Sequence, residues 1–94
     1  MNTNKNIGLI ECNGTPSIEL STHINGYRLK KFMAKNHQVN MEVQQKYPEA
    51  ESVDTITSII SDPEIDLILV TKPGREDLGY VGEAIQSGKN VRIL

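Results

Sequence analysis

The sequence is short of the residues that mark secreted, membrane-bound and nucleic-acid-binding proteins. Its single cysteine cannot form a disulfide within the chain, which is typical of a reducing compartment. The longest uninterrupted aliphatic run, residues 67–70, is far too short to cross a bilayer. The formal net charge of −2 gives no basic field for nucleic acid or anionic lipid, and residues 1–6 hold no apolar export segment. We therefore expect a cytoplasmic protein with neither a nucleic-acid nor a membrane partner.

What the sequence does contain is an ordinary globular composition, with 37% hydrophobic and 23% charged residues in a chain of 94. This length predicts one domain, residues 1–94, without room for a second. A domain of this size buries only about two-thirds of its unfolded surface. We therefore expect modest stability, or stabilisation by self-association.

Short apolar segments alternate with segments of helical spacing along the chain. The apolar segments predict five strands, over residues 6–11, 27–34, 51–53, 65–71 and 91–94. Four helices are predicted between them: one from Thr15-Pro16 to about Ile24, one capped by Asn36 and stopped by Pro48, one capped by Asp54, and one ending at Gly88. The apolar residues expected to face inward from these helices are Ile18, Ile24, Val39, Val43, Tyr47, Ile56, Ile59, Ile60, Leu78, Val81, Ala84 and Ile85.

Strict alternation of strand and helix is typical of a parallel sheet with right-handed crossovers. Residues 65–71 are apolar almost throughout, which indicates a central strand covered on both faces. The predicted fold is a three-layer, Rossmann-like α/β domain. Its five-stranded, mainly parallel sheet has the order 3-2-1-4-5, with helices on both faces.

Four segments, in register over nearly the whole chain, resemble the N-terminal domain of the Gfo/Idh/MocA oxidoreductases. They are IGLIECNG at residues 7–14, KYPEA at 46–50, SDPEIDLILVTKP at 61–73 and AIQSGKNV at 84–91. The Asp-Pro-x-Ile-Asp and small-Gly-Lys-x-Val elements are fairly specific to that family. The resemblance implies a domain that binds NAD or NADP, in enzymes that oxidise or reduce sugars and cyclitols with a separate C-terminal α/β domain.

The loop after the first strand departs from the family pattern, which is G-x-G-x-x-G or G-x-G-x-x-A. Glu11, Asn13 and Pro16 occupy the three glycine positions. These glycines serve the tight turn, the approach of the backbone to the pyrophosphate and helix–strand packing. A carboxylate close to the phosphates costs on the order of a few kcal/mol at about 4 Å. The cofactor-binding candidates here, in a degenerate form, are Glu11, Cys12, Asn13, Gly14, Thr15 and Pro16.

Two other strand ends supply candidate cofactor contacts. Where the resemblance implies an acidic residue that accepts from the adenosine ribose, this chain has Lys35, which cannot accept that bond. Lys35 either favours a 2′-phosphate, and so NADP, or is a solvated surface lysine. Thr71, Lys72 and Pro73 follow the fourth strand, beside the position where ligands bind in such sheets. Lys72 and Arg75 either face a phosphate or are solvated loop charges.

The resemblance also bears on catalysis. The family often has a histidine at about the position of Asp77, and it continues beyond the position of Leu94 with Glu-Lys-Pro, whose lysine is catalytic. Hydride transfer needs a substrate held against the nicotinamide, and the substrate domain of the family has no counterpart in this sequence. We expect no catalytic residue and no catalysis by this chain alone.

The remaining reactive residue types do not form a recognisable site. Cys12 lies between a strand end and a helix start, where a thiol pKa can be lowered, but a small buried residue is the commoner interpretation. His23 and His37 have no partner at metal-ligand spacing. Turn chemistry and solvent exposure explain Asp62 and Glu64, and Asp66 is expected at the mouth of its strand. We therefore predict no metal site.

Three hypotheses follow for function. The first is a standalone, degenerate Rossmann domain with weak or lost NAD or NADP binding. The second is the nucleotide-binding part of an NAD(P)-dependent sugar or polyol oxidoreductase, completed by another chain. The third is an assembly module, in which the edge strand at residues 91–94 offers its open backbone groups to a second copy. The three are compatible, and a homodimer without cofactor is the central expectation.

Overall fold

The computed structural model describes residues 5–12, 27–71 and 74–93. The strands are β1 (Lys5–Glu11), β2 (Tyr27–Ala34), β3 (Glu51–Ser52), β4 (Ile65–Thr71) and β5 (Asn90–Ile93). The helices are α1 (His37–Lys46), α2 (Thr57–Ile60) and α3 (Leu78–Gln86), the last preceded by a 3₁₀ turn at Arg75–Asp77. All neighbouring strands pair in parallel, in the order β3-β2-β1-β4-β5. The predicted sheet is therefore confirmed, and the predicted first helix lies outside the described residues.

Two apolar clusters cover the two faces of the sheet. On one face Val39 and Val43 of α1 pack on Phe32 and its neighbours in β1, β2 and β4. On the other face Ile59 and Ala84 bring α2 and α3 against β1 and β4. Strand β4 contributes to both clusters, as its nearly unbroken apolar sequence predicts for a central strand.

Close packing between α2 and β1 depends on a glycine. A Cβ atom at Gly8 would lie 2.4 Å from Cγ2 of Ile59, so any side chain there would push the helix away. Ile59 is fully buried at this contact. Gly8 thus sets the distance between the short helix and the sheet.

Two irregularities change the direction of side chains along the sheet. The β1–β2 register shifts between Ile7 and Gly8, so that Lys30 is the extra residue of a bulge in β2. The β1–β4 register shifts in the same way at Asp66. Because a bulge breaks the two-residue period, Lys30 and Lys31 both reach Asp62.

The helix ends agree with the predicted signals at three positions. The side chain of Asn36 accepts hydrogen bonds from the backbone N–H groups of Gln38 and Val39, at 2.8 and 3.3 Å. Helix α1 ends at Lys46, two residues before Pro48. The chain turns after α3 at Gly88, whose φ of 86° lies in the left-handed region.

Three expectations about the helices are wrong. Asp54 does not cap α2; the N-cap residue is Ile56, which makes no side-chain cap bond, and the Oγ1 atom of Thr55 accepts from the backbone N–H of Ser58 at 3.4 Å. Leu78 and Ile85 are 56% and 60% exposed rather than inward, because α3 packs on the sheet through the line of Val81 and Ala84. Leu78 and Ile85 lie beside that line on the helix surface.

Asp62 is also placed differently from the prediction of solvent exposure. It is 7% exposed and lies at the amino end of the sheet, just before β4. Its carboxylate is 2.7 Å from the Nζ atom of Lys30 and 3.1 Å from that of Lys31. The ammonium of Lys89 donates to the carbonyl oxygens of Asp62 and Ile65, at 2.7 and 2.9 Å. We call Lys30, Lys31, Asp62 and Lys89 the amino-edge cluster.

Candidate functional site

At the opposite end of the sheet, five residues meet where β1, β2 and β4 end. They are Glu11 and Cys12 from β1, Lys35 after β2, Thr71 from β4, and Asp77 from the 3₁₀ turn; we call them the carboxyl-edge cluster. The order β2-β1-β4 puts the end of β1 between the other two strand ends. The strand order reverses between β1 and β4, and ligands in open α/β sheets bind outside the carboxyl ends of the strands at such a point.

Glu11 and Thr71 form the floor of this cluster. They are register partners on β1 and β4, and both are buried, at 2% and 3% exposure. The hydroxyl of Thr71 donates a hydrogen bond to the Oε1 atom of Glu11. The backbone N–H of Cys12 continues the pairing by donating to the carbonyl of Thr71 at 3.3 Å. A carboxyl group is therefore buried at the end of the central strand.

Lys35 and Asp77 form an ion pair across the top of the cluster. The Nζ atom of Lys35 lies 2.9 Å from Oδ1 of Asp77, whose side chain is only 2% exposed. The backbone N–H of Gly74 donates to the other carboxylate oxygen at 2.9 Å. The bond with Lys35, aided by that of Gly74, lowers the pKa of Asp77, and the bond with Asp77 raises the pKa of Lys35.

Cys12 lies beneath this ion pair. It is 4% exposed. Burial, together with the negative charge of Asp77, raises the pKa of Cys12 to about 11. The thiol is thus protonated at neutral pH, in agreement with the interpretation of Cys12 as a small buried residue.

The cluster holds two buried carboxyl groups, on Glu11 and Asp77, and one ammonium, on Lys35. Glu76 adds a further carboxylate 3.8 Å from the Nζ atom of Lys35, although its side chain is 76% exposed. Among the described residues this end of the sheet is therefore richer in acid than in base.

The structure brings together four of the predicted site residues: Glu11, Cys12, Lys35 and Thr71. The other predicted site residues lie outside the described part of the chain; they are Asn13, Gly14, Thr15, Pro16, Lys72 and Pro73. Lys35 has a partner that neither sequence interpretation foresaw. It bonds with Asp77, so it is not simply a solvated lysine.

Asp77 is the site residue that the sequence analysis did not assign. Asp77 makes no capping bond to α3; it is the third residue of the 3₁₀ turn, and its side chain accepts from the backbone N–H of Gly74, the residue before that turn. Its approach to Lys35, 42 positions away, has no signal in the sequence. Only the adjacency of the β2 and β4 ends around β1 brings the two together.

A cavity lies away from this cluster. A cavity of about 340 Å³ opens at the amino ends of β1 and β2, lined by Tyr27, Arg28 and Tyr47 among others, and it includes no member of the carboxyl-edge cluster.

The described residues contain no group of three acidic, histidine or cysteine side chains arranged for a metal ion. None of the helices in the described ranges has the length and apolarity to span a membrane.

The sheet order, the described helices on both faces and the site at the strand ends define a Rossmann-like α/β domain. Solved oxidoreductases share this fold. Myo-inositol dehydrogenase from Lactobacillus casei, in complex with NAD(H) and myo-inositol, superposes with a TM-score of 0.75 at 18% identity, over 97% of this chain and 28% of that one. Biliverdin reductase from Synechocystis sp. PCC 6803, in complex with biliverdin and NADP⁺, gives 0.75 at 20% identity, over 94% of this chain and 28% of that one.

A comparison of sequences gives a more specific relationship. The chain is 34% identical over 65 residues to scyllo-inositol 2-dehydrogenase (NADP(+)) IolW of Bacillus subtilis (strain 168), over 69% of this chain and 17% of that protein. No family model matches the sequence. The neighbours are Gfo/Idh/MocA-type oxidoreductases, so the predicted resemblance to the N-terminal domain of that family is confirmed. The chain spans less than a third of the length of each of these relatives.

Proposed function

We propose that this chain is an NAD(P)-binding-type Rossmann domain whose dinucleotide binding is weak or lost and which does not transfer hydride by itself. The observation that carries the proposal is the carboxyl-edge cluster. Its ion pair of Lys35 and Asp77 runs over the end of β1, where a dinucleotide would cross the sheet. The chain's own side chains therefore compete with a dinucleotide for this space.

Charge supports the same proposal. A dinucleotide brings a negative diphosphate to the end of β1, beside the buried carboxyl groups of Glu11 and Asp77. One unfavourable charge pair at about 4 Å costs on the order of a few kcal/mol at a near-surface dielectric. Such a cost weakens binding by about two to three powers of ten. Glu11 is also the residue at the first glycine position of the family pattern.

Isothermal titration with NAD⁺, NADH, NADP⁺ and NADPH tests this proposal. We expect no saturable binding below millimolar concentration for any of the four. The scyllo-inositol dehydrogenase of Bacillus subtilis, whose name specifies NADP(+), is the positive control for the NADP⁺ titration. Micromolar binding of any dinucleotide contradicts the loss of binding, and turnover of a polyol by this chain alone contradicts the whole proposal.

A second candidate is the nucleotide-binding part of an NAD(P)-dependent sugar or polyol oxidoreductase that another chain completes. The 34% identity to an NADP(+)-named inositol dehydrogenase favours it. Affinity purification from cell extract, followed by an assay with scyllo-inositol and NADP⁺, tests it. The expected result is a stable partner with an α/β substrate domain and an activity that neither chain has alone. Recovery of the chain without such a partner contradicts it.

A third candidate is assembly into a homodimer with a second copy of the chain. Strand β5 is an outer strand of the sheet. Ile93 in this strand and Leu78 and Ile85 in α3 are 53%, 56% and 60% exposed. Two copies related by a two-fold axis would pair their β5 strands and cover these apolar side chains together. Sedimentation at tens of micromolar is expected to give a dimer, and an Ile93→Lys variant a monomer. A monomeric unmodified chain contradicts the assembly.

A further inference from the structure

The carboxylate of Asp77 is held by donors of the kind that bind a phosphate oxygen. It accepts from a cation, Lys35, and from a backbone N–H, that of Gly74, each at 2.9 Å. Charge-assisted bonds from lysine and from backbone N–H groups are the usual way in which proteins hold phosphate groups. The side chain of Lys35 is 37% exposed, so its ammonium is within reach of a ligand in solution.

We propose that Asp77 is an internal substitute for a ligand phosphate, and that it is the residue that excludes phosphorylated ligands from the carboxyl edge. The inference rests on the proposed function, since it gives the cause of weak or lost dinucleotide binding. Lys35 follows β2, on the side of the sheet end where the resemblance implies the adenosine ribose. The excluded ligand class is therefore a nucleotide with a 2′-phosphate on its adenosine ribose.

Tethering gives Asp77 its advantage over a free ligand. The fold already places the carboxylate 2.9 Å from the ammonium, so their pairing requires no further loss of translational entropy. A free phosphate loses translational entropy when it binds. Asp77 is also 1% exposed, so water screens its bond with Lys35 only from the lysine side. A dissolved phosphate at ordinary concentration does not displace such a group.

Asp77→Asn tests the role of the negative charge while keeping a side chain of the same shape. Asparagine keeps a side-chain oxygen for the N–H of Gly74, but it carries no charge to hold Lys35. Lys35 then becomes available to an external phosphate, and the negative charge opposing that phosphate is removed. We expect binding of adenosine 2′,5′-bisphosphate to tighten by about tenfold or more. Binding of 5′-AMP, which lacks the 2′-phosphate, should tighten by a smaller factor.

Glu76→Gln is the matched control. It removes one negative charge from the neighbouring position, 3.8 Å from the same ammonium, but from a side chain that is 76% exposed. If Asp77 acts by occupying the anion position, Glu76→Gln leaves binding of the bisphosphate nearly unchanged. If both variants gain equally, the effect is a general reduction of negative charge and the proposal is overturned. The double variant Asp77→Asn with Lys35→Met should lose the gain.

The experiment is a titration of the unmodified chain and these variants with adenosine 2′,5′-bisphosphate, 5′-AMP and NADP⁺, followed by calorimetry. No gain in a folded Asp77→Asn variant overturns the inference and leaves the proposed function standing. Micromolar NADP⁺ binding by the unmodified chain rejects both the proposed function and the inference, because Asp77 then does not exclude a phosphorylated ligand. Thermal unfolding checks that each variant is folded. Should Asp77→Asn fail to fold, Asp77→Ser, which keeps a hydroxyl oxygen, replaces it with the same expected and contradicting results.

Discussion

Each end of the sheet has a buried aspartate paired with lysine, but the two ends differ in what surrounds that pair. In the amino-edge cluster Asp62 is surrounded by Lys30 and Lys31, and Lys89 bonds to nearby backbone carbonyls. In the carboxyl-edge cluster the buried carboxyl groups of Glu11 and Asp77 share the neighbourhood of one lysine, Lys35. At the first end Lys30 pairs with two carboxylates, those of Asp62 and Glu64. At the second, two buried carboxyl groups lie near one lysine.

This difference separates architecture from ligand selection. At the amino edge the lysines connect several elements. Lys31 also donates to the carbonyl of Ser58, in the first turn of α2, at 3.1 Å, and Lys89 donates to the carbonyl of Ile65 at the start of β4. At the carboxyl edge the pair of Lys35 and Asp77 spans the place where a ligand would lie. The amino-edge pairs join elements of the fold, whereas the carboxyl-edge pair is the one for which we propose an effect on ligand binding.

The largest expected effect is on stability, at the amino edge. Asp62→Ala leaves Lys30 and Lys31 without their shared carboxylate in a largely buried setting, and should lower the free energy of unfolding by about 2 to 3 kcal/mol. Asp77→Ala should cost less, because solvent screens its lysine partner. Urea denaturation followed by circular dichroism measures both.

Asp54→Ala is the control for that experiment, since Asp54 is exposed and does not cap α2. It should change the free energy of unfolding by no more than about 0.5 kcal/mol. An Asp62→Ala variant as stable as Asp54→Ala would remove the distinction between the two ends of the sheet.

A second, smaller effect concerns pH. Burial alone would raise the pKa of Asp62, but the bond with Lys30, the N–H of Glu64 and the bond with Lys31 together hold that pKa well below its usual range. The unfolded chain therefore binds more protons than the folded one at acidic pH, and the stabilisation is present above the unfolded pKa of about 4 and is lost as pH falls below it. Urea midpoints should fall from about pH 5 downward.

Asp62→Asn should flatten this acid limb of the pH profile, and Asp54→Asn should leave it as it is. The depressed pKa of Asp77 contributes with the same sign, so Asp62→Asn does not abolish the slope. A profile that Asp62→Asn does not alter would show that the carboxylate of Asp62 has no linkage to folding.

The smallest expected effect is on the reactivity of Cys12. With its pKa raised to about 11 by burial and by Asp77, the thiol is protonated and covered at pH 8. A disulfide reagent such as Ellman's should react slowly with the folded chain and rapidly in urea. Asp77→Asn should accelerate the reaction less than unfolding does, since burial is the larger cause. Rapid stoichiometric reaction of the native chain would place Cys12 in an open site instead.

Much of the fold was predictable because its signals are local. The predicted strands over residues 27–34 and 65–71 match β2 and β4. Asn36 caps the start of α1 and Gly88 follows the end of α3, as expected. The short helix α2 was harder, because Asp54 and Thr55 are both good capping residues and yet the N-cap residue is Ile56. Leu78 and Ile85 fit the period of a buried stripe, but the sheet covers only its centre.

Part of the candidate site was predictable. The family resemblance pointed to Glu11, Cys12 and Lys35, and the end of the fourth strand pointed to Thr71, whereas Asp77, the partner of Lys35, was not assigned. The bulges at Lys30 and Asp66 had no signal either, because an extra residue in a strand shows only when the neighbouring strand fixes the register.

The sequence by itself determined the order of strands and helices and the resemblance to an oxidoreductase domain, because periodicity, caps and turns depend on residues close together in the chain. Tertiary structure alone decided which charges meet. Lys35 and Asp77 are 42 positions apart, and Lys30 of β2 meets Asp62 from the connection before β4. Both pairs form because the sheet places β2 and β4 on either side of β1.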